Sequence, residues 1–360
     1  MKERQNIVFL YTELAGYFMA CIRSLVKHYD VSVHIIRYPV NAEAPFQFDS
    51  DEGIYFYDRA SFTNEALSDT IDRICPDVIL VSGWIDKGYL EVCDKYFARI
   101  PTVLLMDNQW KGSVKQRLAG YIDPFKLKKR FSHVWVPGQP QKKYALKFGF
   151  KEKNIRTGFY CADTTYFNVV YNNFMSRSEL VKPKKFLFIG RYLDFKGIFG
   201  LWRVFVELAA QNPEWQLVCM GTGEEWERRI IHAQIKHLGF VQPEVLETYI
   251  NDASFFVMPS VIEPWGVVLH EMVAAGMPAI VTSEVGSASA FVRNGENGFV
   301  IKPADRNALK AAMQKAIMIT DEEFVHMKRR SHELSQSVDM SKWTQTILDI
   351  CAESILSKHG

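Results

Sequence analysis

The chain has 360 residues, 48% of them hydrophobic and 23% charged, with a formal net charge of +2. That length exceeds a usual single core and points to two domains, while the composition excludes disordered, collagenous and disulfide-scaffold classes. No apolar run reaches the ~18–20 residues of a membrane span, the polar start MKERQN is no signal peptide, and the six scattered cysteines form no CxxC pair. Neither a zinc site nor a disulfide framework is expected, and a reducing cytoplasm fits.

Short apolar runs alternate with helical patterns along the first half. IVFL (7–10) precedes a helix-like GYFMACIRSLVKHY, and VSVHIIR (31–37) follows. IYFY (54–57), the pattern NEALSDTIDRI, DVILVSG (77–83), PTVLLMD (101–107) and HVWVPG (133–138) complete the series. Continuous Val/Ile/Leu runs between helices are what a parallel sheet covered on both faces requires. The second half repeats the plan. KFLFIG (185–190) leads into a helix near 197–211, then WQLVCMG (215–221) and a charged helix starting at Glu224, with SFFVMPS (254–260) and AIVTS (279–283) as further strands. The expectation is therefore two doubly wound α/β domains, residues 1–165 and 166–335, with an irregular junction near 159–184. A last helix pattern within 336–360, after a polar gap at 331–342, need not belong to the second core.

The charges are unevenly spread. Between Lys111 and Arg156 stand thirteen Lys/Arg against two acids, Asp123 and Glu152, a local surplus of eleven positive charges. So concentrated a block suggests an anionic partner as an alternative to a merely solvated face. Its core, GSVKQRLAGYIDPFKLKKRF, mixes cations with apolar residues, a composition suited to peripheral contact with an anionic membrane surface. No nucleic-acid-binding module is recognisable.

Two stretches of the second half carry chemistry. In KFLFIGRYLDFKG, Gly190 and Arg191 end a strand, and Lys196 and Gly197 open the next helix. This is the edge at which ligands of open α/β sheets bind, and an Arg and a Lys beside free helix N–H groups suit a diphosphate. The plainer reading has glycines serving a turn and two solvated cations. In SVIEPWGVVLHEMVAAGMPAI, Glu263 lies in a loop, Gly266 starts a short helix and Glu271 falls about one and a half turns inside it. The N–H groups of Gly266, Val267 and Val268 lack internal partners and favour a phosphate. Glu271 is placed to accept bonds from a ribose diol, and Glu263 from hydroxyls of the group beyond the phosphate. Taken singly, each glutamate reads as readily as a solvated residue; the joint pattern suits a nucleotide sugar.

FIGRYLDFKG, VCMGTGEEWE, LGFV, MPSVIEPWGVVLHEMVAAGMPAIVT and NGENGFVIKPADRNAL, in that order, resemble the donor-binding half of family-4 retaining glycosyltransferases (glycosyl transferases group 1). The resemblance runs from about Lys185 to Ala316. It implies a GT-B fold, two Rossmann-like domains facing across a cleft, the first on the acceptor side and the second binding nucleotide sugar. It implies that Arg191 and Lys196 neutralise the donor diphosphate, that Glu271 holds the ribose, and that Glu263 with the Gly266–Val268 segment and adjoining Trp265 grips sugar and distal phosphate. Gly190 belongs to the same donor loop, and Phe240 and Val241 would border the base. No metal or other cofactor is required by this scheme; the donor is a nucleoside-diphosphate sugar, with a UDP-sugar as first choice. The chain departs from the family after AIVT, where Gly286-Ser287 and Ala290 replace a double glycine and a glutamate. In the first half the likeness is architectural. A glycine-rich loop survives only as Leu14-Ala15-Gly16-Tyr17, and Asp107 stands where many members place a histidine. Asp107 is then a candidate for binding a substrate hydroxyl, or caps the next helix.

The expected function is transfer of a sugar to a hydroxyl acceptor, a glycan or lipid-linked glycan, with retention of configuration. The expected location is the cytoplasm, peripherally on the inner face of the membrane. A GT-B-type sugar-nucleotide epimerase and a non-catalytic subunit binding a partner are the alternatives. The DSD at 49–51 imitates a metal-binding pattern but reads as a solvated loop, and His270 reads as a core or surface residue.

Overall fold

The computed structural model describes residues 4–39, 51–114, 116–117, 126–242 and 245–358. Two compact units emerge, Met1–Cys161 with Met340–Gly360, and Ala162–Asp339.

The first unit runs β1 (Gln5–Tyr11), α1 (Gly16–His28), β2 (Val31–Arg37), β3 (Ile54–Asp58), α2 (Asn64–Ile74), β4 (Val78–Ser82), α3 (Lys87–Tyr96), β5 (Thr102–Leu105), β6 (His133–Val136), α4 (Gln139–Lys147) and β7 (Ile155–Thr157). Its seven strands are ordered β3-β2-β1-β4-β5-β6-β7, and each neighbouring pair is parallel. Ile7, Val8, Phe9 and Leu10 are wholly buried, because helices cover both faces and leave no polar side to alternate with. The C-terminal helix, Met340–Lys358, closes this unit rather than the second. Trp343 anchors it, stacked on Phe9 and tilted against Trp135, with its indole N–H donating to the Phe159 carbonyl at 2.8 Å.

The second unit runs α5 (Thr164–Met175), β8 (Lys185–Ile189), α6 (Ile198–Ala209), β9 (Gln216–Met220), β10 (Ile235–His237), α7 (Leu246–Ile250), β11 (Phe255–Met258), α8 (Val267–Ala274), β12 (Ala279–Thr282), α9 (Ala288–Phe291), β13 (Gly298–Ile301), α10 (Arg306–Met318) and α11 (Asp321–Ser335). Six parallel strands are ordered β10-β9-β8-β11-β12-β13. The order reverses between β8 and β11, which opens a crevice at their carboxyl ends.

Three local expectations need correction. The junction near 159–184 is not irregular: α5 forms there, capped by Asp163 and burying Phe167, Val170 and Phe174. Its β-branched, aromatic and Asn residues are mediocre helix formers, and packing overrides that preference. No charged helix starts at Glu224; the chain makes a single 3₁₀ turn, Trp226–Arg228, and turns extended at Arg229. Trp226 packs on Tyr192, and Ile235–His237 then pair with β9, so the sheet edge wins over helical composition. The polar stretch from 331 is not a gap at its start, since Ser331 and Ser335 belong to α11 and are wholly buried. Of the DSD pattern, Asp49 and Ser50 lie outside the described residues, and Asp51 pairs with Arg23 at 2.6 Å. Lys115 and residues 118–125 of the basic segment also lie outside them.

Candidate active site

The switch point of the second sheet gathers most of the residues singled out in the sequence. Gly190 and Arg191 follow β8 directly, and Arg191 is exposed. The chain then makes a 3₁₀ turn, Asp194–Lys196, and enters α6 through Gly197 at φ +73°. A β-carbon on Gly197 would stand 2.2 Å from the Pro259 carbonyl oxygen, so only glycine lets this turn press against the chain leaving β11. The Val261 N–H donates to the Phe195 carbonyl at 2.7 Å and locks the two loops together.

Lys196 and Glu263 meet across that junction. The ammonium donates to Glu263 Oε2, with both side chains largely withdrawn from water at 17% and 10% exposure. The Glu263 backbone is fixed too, through a bridge to Val285 and a bond from the Gly286 N–H at 3.1 Å. Gly266 caps α8 in the left-handed region at φ +83°, and a β-carbon there would meet Met258 at 2.7 Å and the Glu263 side chain at 3.0 Å. Glycine therefore leaves room for Glu263 beside the helix start. Val267 and Val268 follow in the first turn, half-exposed, with the orphan N–H groups every helix start presents.

Glu271 sits on the next turn of α8. Part of its surface remains accessible. Enough protein nevertheless surrounds the carboxyl that burial pushes its pKa up to about 7, and the negative charge of Asp163 adds to the rise. Asp163, the cap of α5, carried no signal in the sequence, because only the tertiary fold brings that charge to bear on Glu271.

Trp265 and His270 turn away from this chemistry. The Trp265 side chain is 2% exposed and stands edge-on to Phe291, so the indole is a packing group. His270 is wholly buried and stacked on Phe291 at 4.2 Å. It accepts from the Ala162 N–H and donates from Nε2 to the Ser335 carbonyl, both at 3.1 Å, and burial pushes its pKa down to about 4. At Ser287, where the chain departs from the family's glycine, the hydroxyl donates to the carbonyls of Trp265 (2.7 Å) and Gly266 (3.0 Å) and holds the cap of α8 in place. Phe240 is 47% exposed and follows Gly239, whose carbonyl accepts from the Gly221 N–H at 2.7 Å; Val241 is half-exposed.

Gly16 and Asp107 belong to the first unit. Gly16 opens α1, and a β-carbon built there meets nothing within 4 Å, so packing does not demand the glycine. Asp107 follows β5 and caps no helix among the described residues. It accepts instead from the Tyr160 hydroxyl at 3.1 Å, beside Tyr17, whose ring stands edge-on to Tyr160. Burial raises the Tyr160 pKa well above the usual phenol range. Among the described residues no group of three or more His, Cys, Asp or Glu side chains is arranged to hold a metal ion. No helix among them is long and apolar enough to cross a membrane.

Residues 172–332 match the family model of glycosyl transferases group 1. The glycogen synthase of Mycobacterium tuberculosis is 27% identical over 196 residues, 52% of this chain and 46% of that protein. The chain thus spans about half the length of the curated relatives it matches. Sucrose-phosphate synthase from Thermosynechococcus elongatus superposes with a TM-score of 0.70 at 17% identity, covering 98% of this chain and 100% of that one. HepE from Anabaena, in complex with UDP and glucose, gives 0.71 at 15% identity, with 97% and 100% covered. The two parallel sheets are those of the GT-B fold, and residues 172–332, within the second unit, carry the likeness to the glycosyl transferases group 1.

Proposed function

We propose that the protein is a retaining glycosyltransferase of family 4, moving a sugar from a nucleoside diphosphate to a hydroxyl acceptor on a glycan or lipid-linked glycan. This reading is supported by the Lys196–Glu263 pair beside the start of α8, the helix that also carries Glu271, at the switch point of the second sheet. Arg191 and Lys196 supply positive charge to the diphosphate, and the amides of Gly266–Val268 add donors at the distal phosphate. Glu271 accepts the ribose hydroxyls and Glu263 those of the sugar. The HepE complexes contain UDP, UDP with glucose, and UDP-glucose, which favours a UDP-sugar as the first donor to test.

In the reaction the bond between the anomeric carbon and the phosphate oxygen breaks, and the acceptor oxygen attacks from the same face. The acceptor proton passes to a phosphate oxygen of the departing diphosphate, so no enzyme nucleophile is needed. Asp107, held by Tyr160, is assigned a substrate hydroxyl. Peripheral contact of the Lys111–Arg156 segment with an anionic membrane accords with a lipid-linked acceptor and its surplus of cations.

A thermal-shift screen of nucleoside diphosphates and nucleotide sugars, followed by product analysis with the best binder, tests the assignment. Stabilisation by a nucleotide and a product of unchanged anomeric configuration are expected. No stabilisation by any nucleotide would sink it, and so would binding that survives Arg191→Ala combined with Lys196→Ala.

A further inference from the structure

The first unit has a concave feature at the opposite end of its strands from Asp107. The segments 97–101, 131–133 and 149–154 precede β5, β6 and β7 or border them, and together they line an open hollow of about 540 Å³. Arg99, Lys128, Lys151 and Lys153 line it, all four exposed at its rim. Its carboxylate, Glu353 on the C-terminal helix, is already engaged by His133 Nε2 at 2.9 Å and by Arg156. Burial holds the His133 pKa below its usual value against the pull of Glu353. Phe131 and Phe150 lie almost fully buried behind a lining that mixes polar and apolar groups.

Glu353 is held by His133 within the same lining and by Arg156, and the cations around the hollow outnumber this carboxylate and leave a positive field. A solvated basic face needs no concavity; this one has the volume for a discrete group, with charge at the rim. We propose that this cavity binds an organic phosphate, its anionic head among Arg99, Lys128, Lys151 and Lys153. A soluble phosphate ester and a phospholipid headgroup share that chemistry. The inference is independent of donor binding in the second unit.

Calorimetric titration of the full chain with inorganic phosphate and glycerol 3-phosphate, beside co-sedimentation with phosphatidylcholine vesicles lacking or containing phosphatidic acid, provides the test. The variants are Lys151→Glu with Lys153→Glu, and Arg99→Gln with Lys128→Gln in case the charge reversal unfolds; circular dichroism verifies the fold of each. Binding weakened about tenfold in a folded variant is expected, as for loss of charge-assisted contacts. Glycerol 3-phosphate binding would assign a soluble ligand, and binding confined to phosphatidic acid vesicles a lipid headgroup. Absence of binding in both arms, or binding that both variants retain, overturns the proposal.

Discussion

Replacing Lys328 by methionine removes a charge from the interior of the second unit while keeping a side chain of similar length. Lys328 is wholly buried on α11. Its ammonium donates to the Ala275 carbonyl at 3.1 Å, at the carbonyl end of α8, and lies 4.3 Å from the centre of the Phe174 ring. Burial, with a smaller contribution from the charge of Arg177, pushes its pKa from 10.5 down to about 7. The folded pKa lies below the unfolded one, so between them the unfolded chain binds the proton and the native chain does not. Wild-type stability should therefore rise with pH across that window, and the penalty should be fully present only below pH 7. Integrating the linkage from pH 7 to 9 gives about 2 kcal/mol of stabilisation that the methionine variant lacks. Packing changes and the lost hydrogen bond shift the variant's curve by a constant and leave its slope alone. Urea unfolding of both proteins at half-unit pH steps, followed through the transition of the second unit, measures the difference directly. Parallel curves from pH 7 to 9 would refute the reasoning, because they would mean that Lys328 stays charged in the native state.

Three further outcomes are expected. Glu271→Gln removes a carboxyl whose folded pKa is raised to about 7, so the wild type should lose stability relative to the variant as pH rises from 5 to 7. Allowing for its partial exposure, the expected difference is about 1–2 kcal/mol, read from unfolding curves; a difference of opposite sign would exclude a raised pKa. Lys196→Met or Glu263→Gln alone should cost roughly 3 kcal/mol by stranding a largely desolvated charge, and the double variant less than the two summed. Additive losses in that cycle would show that the pair is uncoupled in solution. Gly197→Ala forces a left-handed alanine and a 2.2 Å approach to the Pro259 carbonyl, and should cost roughly 3 kcal/mol, or about 6–12 °C in the melting of the second unit. Unchanged melting would contradict the close approach of the two loops.

Most of the strands, and the turns at Gly197 and Gly266, were legible because their signals are local; the short strands β7, β10 and β13 were not expected. Buried parallel strands need unbroken apolar runs, and a helix entered through the left-handed region carries a glycine at its cap, as Gly266 does at φ +83°. His270 and Trp265 were harder. Both adjoin the candidate site in the chain, yet both side chains lie against Phe291, a contact between α8 and the α9 region that no sequence spacing encodes. The helix expected at Glu224 failed for a related reason, since the β9 edge offered Ile235–His237 a ladder that outweighed helical composition. Serines at 331 and 335 looked like linker residues because hydroxyls at a helix–helix contact resemble hydroxyls in a loop.

By itself the sequence determined two doubly wound domains and the spacing of Lys196, Glu263 and Glu271, because periodicity and turn chemistry act over a few residues. Tertiary structure alone decided that Lys196 and Glu263 form a largely desolvated pair, that Asp163 helps hold the Glu271 pKa near 7, and that the last helix returns to the first unit through Trp343. Those outcomes depend on which distant groups share a low-dielectric environment, and burial and Coulomb energy are properties of position in space rather than of position along the chain.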